Sequence, residues 1–309
     1  MIELSHVTKL YGTVIGVNDM TLALPAGAYG LLGPNGSGKS TLLNLLTGQL
    51  RPTIGSVRVF GESPKNNVDL FRRLGYCPGS EGLYANVSAY EWVRYLCQMQ
   101  GMKSSVAATA AHEALITVGM NEAMQRPIAS YSRGMRQRVK LAQAIAHDPD
   151  FLILDEPFNG LDPIGRHDMG VLLKNWIAAG KSLLLASHLL YEVESITDSF
   201  LLISGGRLLA SGTAAEVHAL LVDVPNEITI RTSDPRRLAG VLLEHEITDS
   251  LRIDHNQLVV STRHPGKLYQ QLPGWLAETG IAVGEMHSAD ESLQALFNSL
   301  LKIHRGELA

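Results

Sequence analysis

Apolar positions in the first 222 residues alternate between the spacing of strands and the spacing of helices. Short apolar runs predict buried strands at residues 2–7, 20–24, 28–32, 151–154 and 182–186. Residues 41–47 and most of residues 87–147 carry apolar side chains every three or four positions, as helices do. Strands that alternate with helices favour a parallel sheet covered on both faces, so this part of the chain is predicted to be an α/β fold.

The character of the chain changes near Val222, where a second series of elements begins. Strands are predicted at residues 227–232, 251–254, 257–262 and 281–286, with helices at residues 235–245 and 265–279. This βαββαβ order is that of a ferredoxin-like module, and a further amphipathic helix is predicted at residues 290–303. We therefore predict two domains, 1–222 and 223–309, with a mainly helical subdomain at about 80–147 inside the first.

A glycine-rich loop stands between the strand at 28–32 and the helix at 41–47. The loop fits the pattern G-x-x-x-x-G-K-[ST] and reads Gly33-Pro34-Asn35-Gly36-Ser37-Gly38-Lys39-Ser40. Its glycines let successive N–H groups face phosphate oxygens, Lys39 brings a charge to the outer phosphates, and Ser40 offers a hydroxyl to Mg²⁺. The dipole of the helix that follows favours the same anion. The loop, together with Thr41, is predicted to bind a nucleoside triphosphate.

An apolar strand at 151–154 ends in two carboxylates, Asp155 and Glu156. Asp155 is placed to hold Mg²⁺ opposite Ser40, and Glu156, one residue further on, is placed to polarise a water for attack on the γ-phosphate. The alternative is a strand that simply finishes with solvated acids. The phosphate loop disfavours that alternative because it requires a metal-binding carboxylate elsewhere in the chain.

Charge and hydropathy narrow the class of protein. The 309 residues carry a net charge of −4, so no basic field is available for a nucleic-acid backbone, and no nucleic-acid partner is expected. The start of the chain lacks the pattern of a signal peptide, and no run approaches the ~20 apolar residues that span a bilayer. The expected location is the cytoplasm, with any membrane role exercised through a partner.

Further motifs lie between and after these sites. The segment Tyr131-Ser132-Arg133-Gly134-Met135 resembles the signature motif of ATP-binding cassette (ABC) proteins, in the Y-S-x-G-M form common among exporter subunits. Three further landmarks follow the family's order: the D-loop Asn159-Gly160-Leu161-Asp162, the switch histidine His188, and the adenine-stacking aromatic Tyr11. The resemblance covers roughly residues 1–220. Taken alone, a histidine at position 188 would more often be a capping or core residue.

The resemblance implies a phosphate-loop core, an antiparallel β subdomain and a helical subdomain, and an ATPase that uses ATP and Mg²⁺. Two such subunits, identical or different, would bind head to tail. The opposite subunit's ATP would then be contacted by Ser132, Arg133, Gly134 and Asp162, while His188 contacts the γ-phosphate and the attacking water. The resemblance also implies separate membrane-spanning subunits at the inner face of the cell membrane, and the signature form and the added domain favour an exporter.

One position departs from the family. A Gln or Glu normally follows the proline of Gly75-Tyr76-Cys77-Pro78, but this chain has Gly79. The glycine is expected to serve a backbone conformation with positive φ. For the metal shell two interpretations stay open: a water or Glu81 completes it, or it lacks a ligand. Two alternatives to a transport ATPase also remain, a non-transport ABC ATPase and a catalytically impaired regulatory module, and only the second is suggested by Gly79. The presence of Glu156 and His188 opposes the second alternative.

Overall fold

The computed structural model describes residues 1–80, 82–213, 216 and 226–288. It divides into two compact units, Met1–Ser211 and Gly212–Ala309, each described by itself below. The predicted boundary at residue 222 and the predicted helix at 290–303 lie outside the described residues, and the proposed domain limits stay a prediction. In the part of the chain that is described, no helix is both long and apolar enough to cross a membrane.

The first unit consists of strands and helices in mixed order. Its strands are β1 (Ile2–Tyr11), β2 (Val14–Leu24), β3 (Ala28–Leu32), β4 (Ile54–Val59), β5 (Leu74–Cys77), β6 (Phe151–Asp155), β7 (Ser182–Ser187), β8 (Ser199–Ser204) and β9 (Arg207–Thr213). Its helices are α1 (Lys39–Leu46), α2 (Val68–Arg72), α3 (Ala89–Met99), α4 (Ser104–Thr117), α5 (Arg133–Ile145), α6 (Pro163–Ala178) and α7 (Leu190–Glu194).

A six-stranded sheet with the order β5-β6-β7-β3-β8-β9 forms the centre of this unit. Neighbouring strands from β5 to β8 run parallel, as the alternation of strands and helices predicted. Strands β6, β7 and β3 are adjacent, so the segments that follow them leave the same edge of the sheet. Those segments carry Glu156, His188 and the phosphate loop, and the carboxyl edge of a parallel sheet is where ligands of such folds bind.

A second, antiparallel sheet has the order β2-β1-β4. Strands β1 and β2 extend well beyond the predicted apolar runs at 2–7 and 20–24, because a turn at Gly12, with φ +61°, joins them into a hairpin. Leu10, Tyr11, Val14 and Ile15 beside that turn are apolar but exposed, and they do not alternate with polar positions, so the sequence pattern did not mark them as strand. The cores of the two sheets merge through residues such as Val7, Leu43 and Phe151, all fully buried.

The helical part of the first unit begins after the loop that follows β5. Helix α3 starts with a capping box: the Ser88 hydroxyl accepts from the backbone N–H of Glu91, whose carboxylate accepts from the backbone N–H of Ser88. Helix α5 starts at Arg133, with the side chain of Ser132 as its N-cap. The signature motif therefore stands at a helix N-terminus.

The second unit has four strands and two helices among its described residues: β10 (Asn226–Thr232), α8 (Pro235–Glu244), β11 (Ser250–Asp254), β12 (Gln257–Thr262), α9 (Pro265–Thr279) and β13 (Val283–Ser288). The sheet has the order β11-β12-β10-β13, and every neighbouring pair is antiparallel. This is the split βαβ arrangement of the ferredoxin-like fold, so the order predicted from the sequence is confirmed.

Candidate active site

The phosphate loop joins β3 to α1 and depends on glycine at two positions. Gly36 and Gly38 have φ of +79° and +106°, the left-handed region that other residues rarely adopt. A Cβ on Gly38 would also lie 2.3 Å from the carbonyl oxygen of Gly16, so no side chain fits there. Lys39 is buried at the start of α1, and its Nζ donates to the carbonyl oxygen of Gly33 at 2.6 Å. The ammonium group of Lys39 therefore lies against the backbone of its own loop.

Ser40 and Asp155 meet where α1 approaches the end of β6. The Ser40 hydroxyl donates to Oδ2 of Asp155 at 2.9 Å. Burial raises the pKa of Asp155, whose side chain is almost inaccessible, and the hydrogen bond from Ser40 acts in the opposite direction. A hydroxyl and a carboxylate are hard oxygen donors of the kind that Mg²⁺ takes alongside phosphate oxygens. The residues present therefore fit the predicted metal.

Glu156 lies between two other side chains of the site. Its Oε2 lies 2.9 Å from Nδ1 of His188, and its Oε1 lies 3.8 Å from Nζ of Lys39. Burial lowers the pKa of Lys39, while the charges of Glu156 and Asp155 raise it. Glu156 has φ +52°, an uncommon backbone conformation for a non-glycine residue, and its N–H donates to the carbonyl oxygen of Ala186. Such local strain often occurs at functional sites.

Lys39, Ser40, Asp155 and Glu156 line a cavity of about 650 Å³, whereas His188, which contacts Glu156, is not among the described residues that line it. Its wall includes the loop residues Pro34, Asn35, Gly36, Ser37, Gly38, Lys39, Ser40 and Thr41, together with Asp155, Glu156 and Tyr11. Sequence reasoning missed Asn44, Gln49 and Tyr76, which also line it. Asn44 is one turn beyond Ser40 on α1, so its position on the helix was a usable signal. Tyr76 lies two residues before Pro78 in the segment compared with the family, which was also a usable signal, whereas Gln49 belongs to no motif and gave none.

Tyr11 lies at the mouth of this cavity, at the end of β1. It is 45% exposed, and its hydroxyl is 3.4 Å from Oγ1 of Thr41, at the start of α1. Val14 and Ile15, also exposed, line the same part of the cavity. The location suits an aromatic ring that stacks on a base beside the phosphates.

The signature motif and the D-loop contact each other instead. A Cβ on Gly134 would lie 3.1 Å from the carbonyl oxygen of Gly160. Ser132 accepts from the N–H of Met135, and Asp162 caps α6 by accepting from the N–H of Gly165 at 2.9 Å. Four residues are predicted to contact a partner's nucleotide: Ser132, Arg133, Gly134 and Asp162. None of them is among the described residues that line the phosphate-loop cavity.

The chain is similar to known proteins over most of its length. The family model of ABC transporters matches residues 17–159. The bacitracin transport ATP-binding protein BcrA of Enterococcus faecalis is 32% identical, over 97% of this chain and 96% of the relative. The chain belongs to the ABC transporter family. The Nod factor export ATP-binding protein I of Rhizobium johnstonii is 33% identical, over 88% of this chain and 87% of the relative.

Solved structures agree with this assignment. An ATP-binding subunit of an ABC transporter superposes with a TM-score of 0.66 at 26% identity, over 72% of this chain and 93% of that chain. ABC cassettes bind and hydrolyse ATP, and this chain is the ATP-hydrolysing nucleotide-binding subunit of an ABC transporter. ATP-binding subunits of the family form dimers and work with membrane-spanning subunits.

Gly79, where this ABC cassette departs from the family pattern, lies directly beside Asp155. Gly79 is not among the described glycines with positive φ, so the interpretation that it serves such a backbone conformation is wrong. A Cβ at this position would lie 3.2 Å from both Cγ and Oδ2 of Asp155, closer than ordinary contact. Glu81, the other candidate ligand, lies outside the described residues.

Helix α5, which begins with the signature motif, donates hydrogen bonds to the loop that carries Gly79. Nζ of Lys140, buried on α5, donates to the carbonyl oxygens of Pro78, Gly79 and Ser80 at 2.8, 3.5 and 3.3 Å. Nε2 of Gln137, also buried on α5, lies 3.8 Å from Sγ of Cys77. Sequence reasoning missed both residues, although Gln137 lies close to the signature motif.

Proposed function

We propose that this ATPase powers an exporter as one half of a head-to-tail dimer, homomeric or heteromeric, on the inner face of the cell membrane. The observation that carries the catalytic part is the position of Glu156. Its carboxylate is shared between His188 at 2.9 Å and Lys39 at 3.8 Å, at the mouth of the phosphate loop. An acceptor for a water proton thus stands where the outer phosphate of bound ATP would end.

Each residue of the site has a distinct proposed role. Lys39 exchanges its contact with the Gly33 carbonyl for the outer phosphates, and Ser40 and Asp155 hold Mg²⁺. The metal, when bound, neutralises charge that develops on the phosphate oxygens. Glu156 accepts a proton from the attacking water, and His188 orients that water and the γ-phosphate. Tyr11 stacks on the adenine at the cavity mouth.

The dimer is supported by the place of the signature motif. Ser132, Arg133 and Gly134 begin helix α5, whose N-terminal dipole favours an anion, yet they lie outside their own subunit's phosphate-loop cavity. Their natural ligand is a phosphate that another subunit presents. Asp162 at the start of α6 lies beside them and would approach the same interface.

A membrane-spanning partner is supported by an exposed aromatic patch on the helical part of the cassette. Tyr84 contacts Trp92 with ring centroids 5.2 Å apart, and Tyr95 and Met99 follow on the same face of α3. Tyr84, Tyr95 and Met99 are 69%, 56% and 68% exposed, which is unusual for such large apolar side chains. Export as the direction is favoured by the relative named for Nod factor export.

The catalytic proposal is tested with Glu156→Gln. The amide keeps the shape of the side chain but cannot take a proton, so ATP turnover should fall ~100-fold or more while ATP binding persists. ATP should then accumulate in a stable dimer, which size-exclusion chromatography detects. Lys39→Ala is the matched control, because it should lose ATP binding itself. Normal turnover in the Glu156 variant would remove this carboxylate from the mechanism.

The transport proposal is tested by purifying the tagged chain from native membranes in mild detergent. A co-purifying protein with membrane-spanning helices is expected, and Tyr95→Glu should release it without changing ATP turnover by the free subunit. Retention of the partner by this variant would exclude the aromatic patch as the contact surface. A partner without spanning helices would contradict the transporter role.

A further inference from the structure

Behind the switch histidine lies a group of polar side chains that the motifs do not explain. Glu192 on α7 is 5% exposed, and burial raises the pKa of its carboxyl. Its Oε2 accepts from the hydroxyl of Ser187 at 2.7 Å, and its Oε1 accepts from Nη1 of Arg166 at 3.0 Å. A buried carboxylate with both oxygens engaged is held in a fixed position.

This carboxylate fixes the turn that carries His188. Ser187 is fully buried, and its hydroxyl donates to Glu192 while accepting from the N–H of Leu189 at 3.0 Å. The residues immediately before and after His188 are therefore tied together by one hydroxyl group. The imidazole itself is more than a third exposed and has its Nδ1 on Glu156. The direction of the His188 imidazole therefore depends largely on the backbone turn that the Ser187 hydroxyl stabilises.

Arg166 connects the same carboxylate to the D-loop. It belongs to the first turn of α6, the helix that Asp162 caps. Its Nε donates to the carbonyl oxygen of Leu161 at 3.3 Å, while Nη1 contacts Glu192 and the hydroxyl of Tyr191 at 2.7 Å. A continuous series of hydrogen bonds thus runs from Leu161 through Arg166 and Glu192 to Ser187.

We infer that Arg166 and Glu192 are positioning residues for ATP hydrolysis, which set the direction of His188 and tie it to the conformation of the D-loop. The inference rests on the proposed role of His188. Both side chains line a separate, smaller cavity, and Glu192 is buried with its two carboxylate oxygens bound to Ser187 and Arg166, so the pair is not placed to contact ATP. Their effect is on turnover and not on nucleotide affinity. Displacement of the D-loop by a partner subunit would be transmitted to His188 through this pair.

The test is a double-mutant cycle on the full chain, read by steady-state ATP turnover. Glu192→Gln removes the charge at nearly constant volume, and Arg166→Met removes the guanidinium. Each should lower kcat about ten-fold with KM for ATP nearly unchanged, because a small misplacement of a catalytic group costs rate and not ground-state binding. In a His188→Ala background the same substitutions should add less than about two-fold, since they act through the missing imidazole.

A matched control uses another ion pair on the same helix. Asp168 on α6 accepts from Nη2 of Arg138 at 3.3 Å, and in the described part of the chain none of its hydrogen bonds reaches the turn at His188. Asp168→Asn should leave kcat within about two-fold of the wild type. Should Glu192→Gln fail to fold, Ser187→Ala interrupts the same series of hydrogen bonds and takes its place in the cycle.

The possible failures are distinguishable. A ten-fold loss of kcat from Glu192→Gln in both the wild-type and the His188→Ala backgrounds would overturn the positioning role. It would leave the proposed function of His188 intact. A raised KM with unchanged kcat would overturn the positioning role as well. Wild-type turnover in His188→Ala itself would remove the proposed function of His188 and this inference with it.

Discussion

The ionised carboxylate of Asp155 is the form proposed to bind the metal, but burial in the folded protein disfavours that form. The carboxyl is buried beside Ser40, and burial raises its pKa in the folded protein. A raised folded-state pKa means that the group stabilises the fold when protonated at low pH. That contribution is lost as the pH rises through the folded-state pKa. Near neutral pH and without metal, the ionised carboxylate is therefore a cost to stability, which the proposed binding of Mg·ATP at this site would offset.

Asp155→Asn should make the metal-free protein more stable. The amide oxygen still accepts from the Ser40 hydroxyl, and the buried charge is gone, so Tm in EDTA at pH 8 should rise, on the order of 2 °C. The difference should shrink toward pH 4, where the wild-type carboxyl becomes protonated. Thermal unfolding followed by circular dichroism measures both values. Equal Tm values at pH 8 would show that the buried charge costs nothing.

Gly79 shows that a missing side chain does not leave an empty ligand position. Asp155 already occupies the space, with its Cγ 3.2 Å from where a Cβ would stand. Gly79→Gln should therefore not raise basal ATP turnover, because the new side chain crowds Asp155 before it can reach a metal. Gly82→Gln is the control, since nothing lies within 4 Å of a Cβ there. A several-fold rise in turnover at unchanged ATP affinity would mean that the metal shell lacks a ligand.

At the scale of elements, helix α5 performs two tasks at two points along its length. Its first turn presents the signature motif, and two turns later Lys140 is buried against the loop after β5. The Lys140 ammonium engages three consecutive carbonyl oxygens, which have no helix or strand to satisfy them. A movement of the helical part would therefore move the backbone beside Asp155 without needing a glutamine side chain.

Lys140→Met should measure how much the contact between Lys140 and the loop after β5 contributes to the stability of the folded protein. The substitution keeps the aliphatic length and removes the ammonium from three carbonyl oxygens, of which only that of Pro78 belongs to a half-buried residue, so the free energy of unfolding should fall by about 1 kcal/mol. Urea unfolding measures it, with exposed Lys174→Met on α6 as the control. ATP turnover should fall in the same variant, as the loop beside Asp155 loosens. An unchanged unfolding free energy would mean that water replaces the ammonium.

The elements also show what could be predicted from the sequence. The phosphate loop and the Asp155-Glu156 pair were predictable because each is a contiguous motif whose spacing reflects its chemistry. The contact between Lys140 and Pro78 spans 62 positions, and Arg166 meets Glu192 across 26. Neither pair has a periodic or compositional signal, because only the packing of α5 and α6 against the sheet creates it. The hairpin of β1 and β2 was underestimated for a different reason: the apolar residues beside its turn are exposed and do not alternate with polar positions.

At the scale of the whole molecule, each of the two units has a hydrophobic core of its own among the described residues. The first surrounds the phosphate-loop sheet through residues such as Leu43 and Ile153, and the second lies under the ferredoxin-like sheet through Ile230, Leu242 and Leu258. No residue of the phosphate loop, the acidic strand end or the switch turn belongs to the second. The similarity to BcrA nevertheless extends over 97% of this chain, so the added domain is part of the protein that the relative also has.

Ending the chain after Val222 should therefore leave a folded ATPase. Strand β9 closes the central sheet at Thr213, so the cut removes no strand of the nucleotide-binding unit, and linkers between compact units tolerate such cuts. ATP affinity should stay within about two-fold of the full chain, because each unit has its own core. Isothermal titration with ATP and a Tm measurement on both proteins make the comparison.

The same truncation separates two roles for the ferredoxin-like domain. If the domain braces the ATP-bound pair, the dimer that Glu156→Gln traps with ATP should dissociate more readily once residues 223–309 are removed. If it acts only on a membrane partner, the trapped dimer should be equally stable with and without it. We expect the first result, measured as the dilution at which the Glu156→Gln dimer separates. A folded truncation that no longer binds ATP would contradict the boundary itself, since every phosphate-binding residue lies before it.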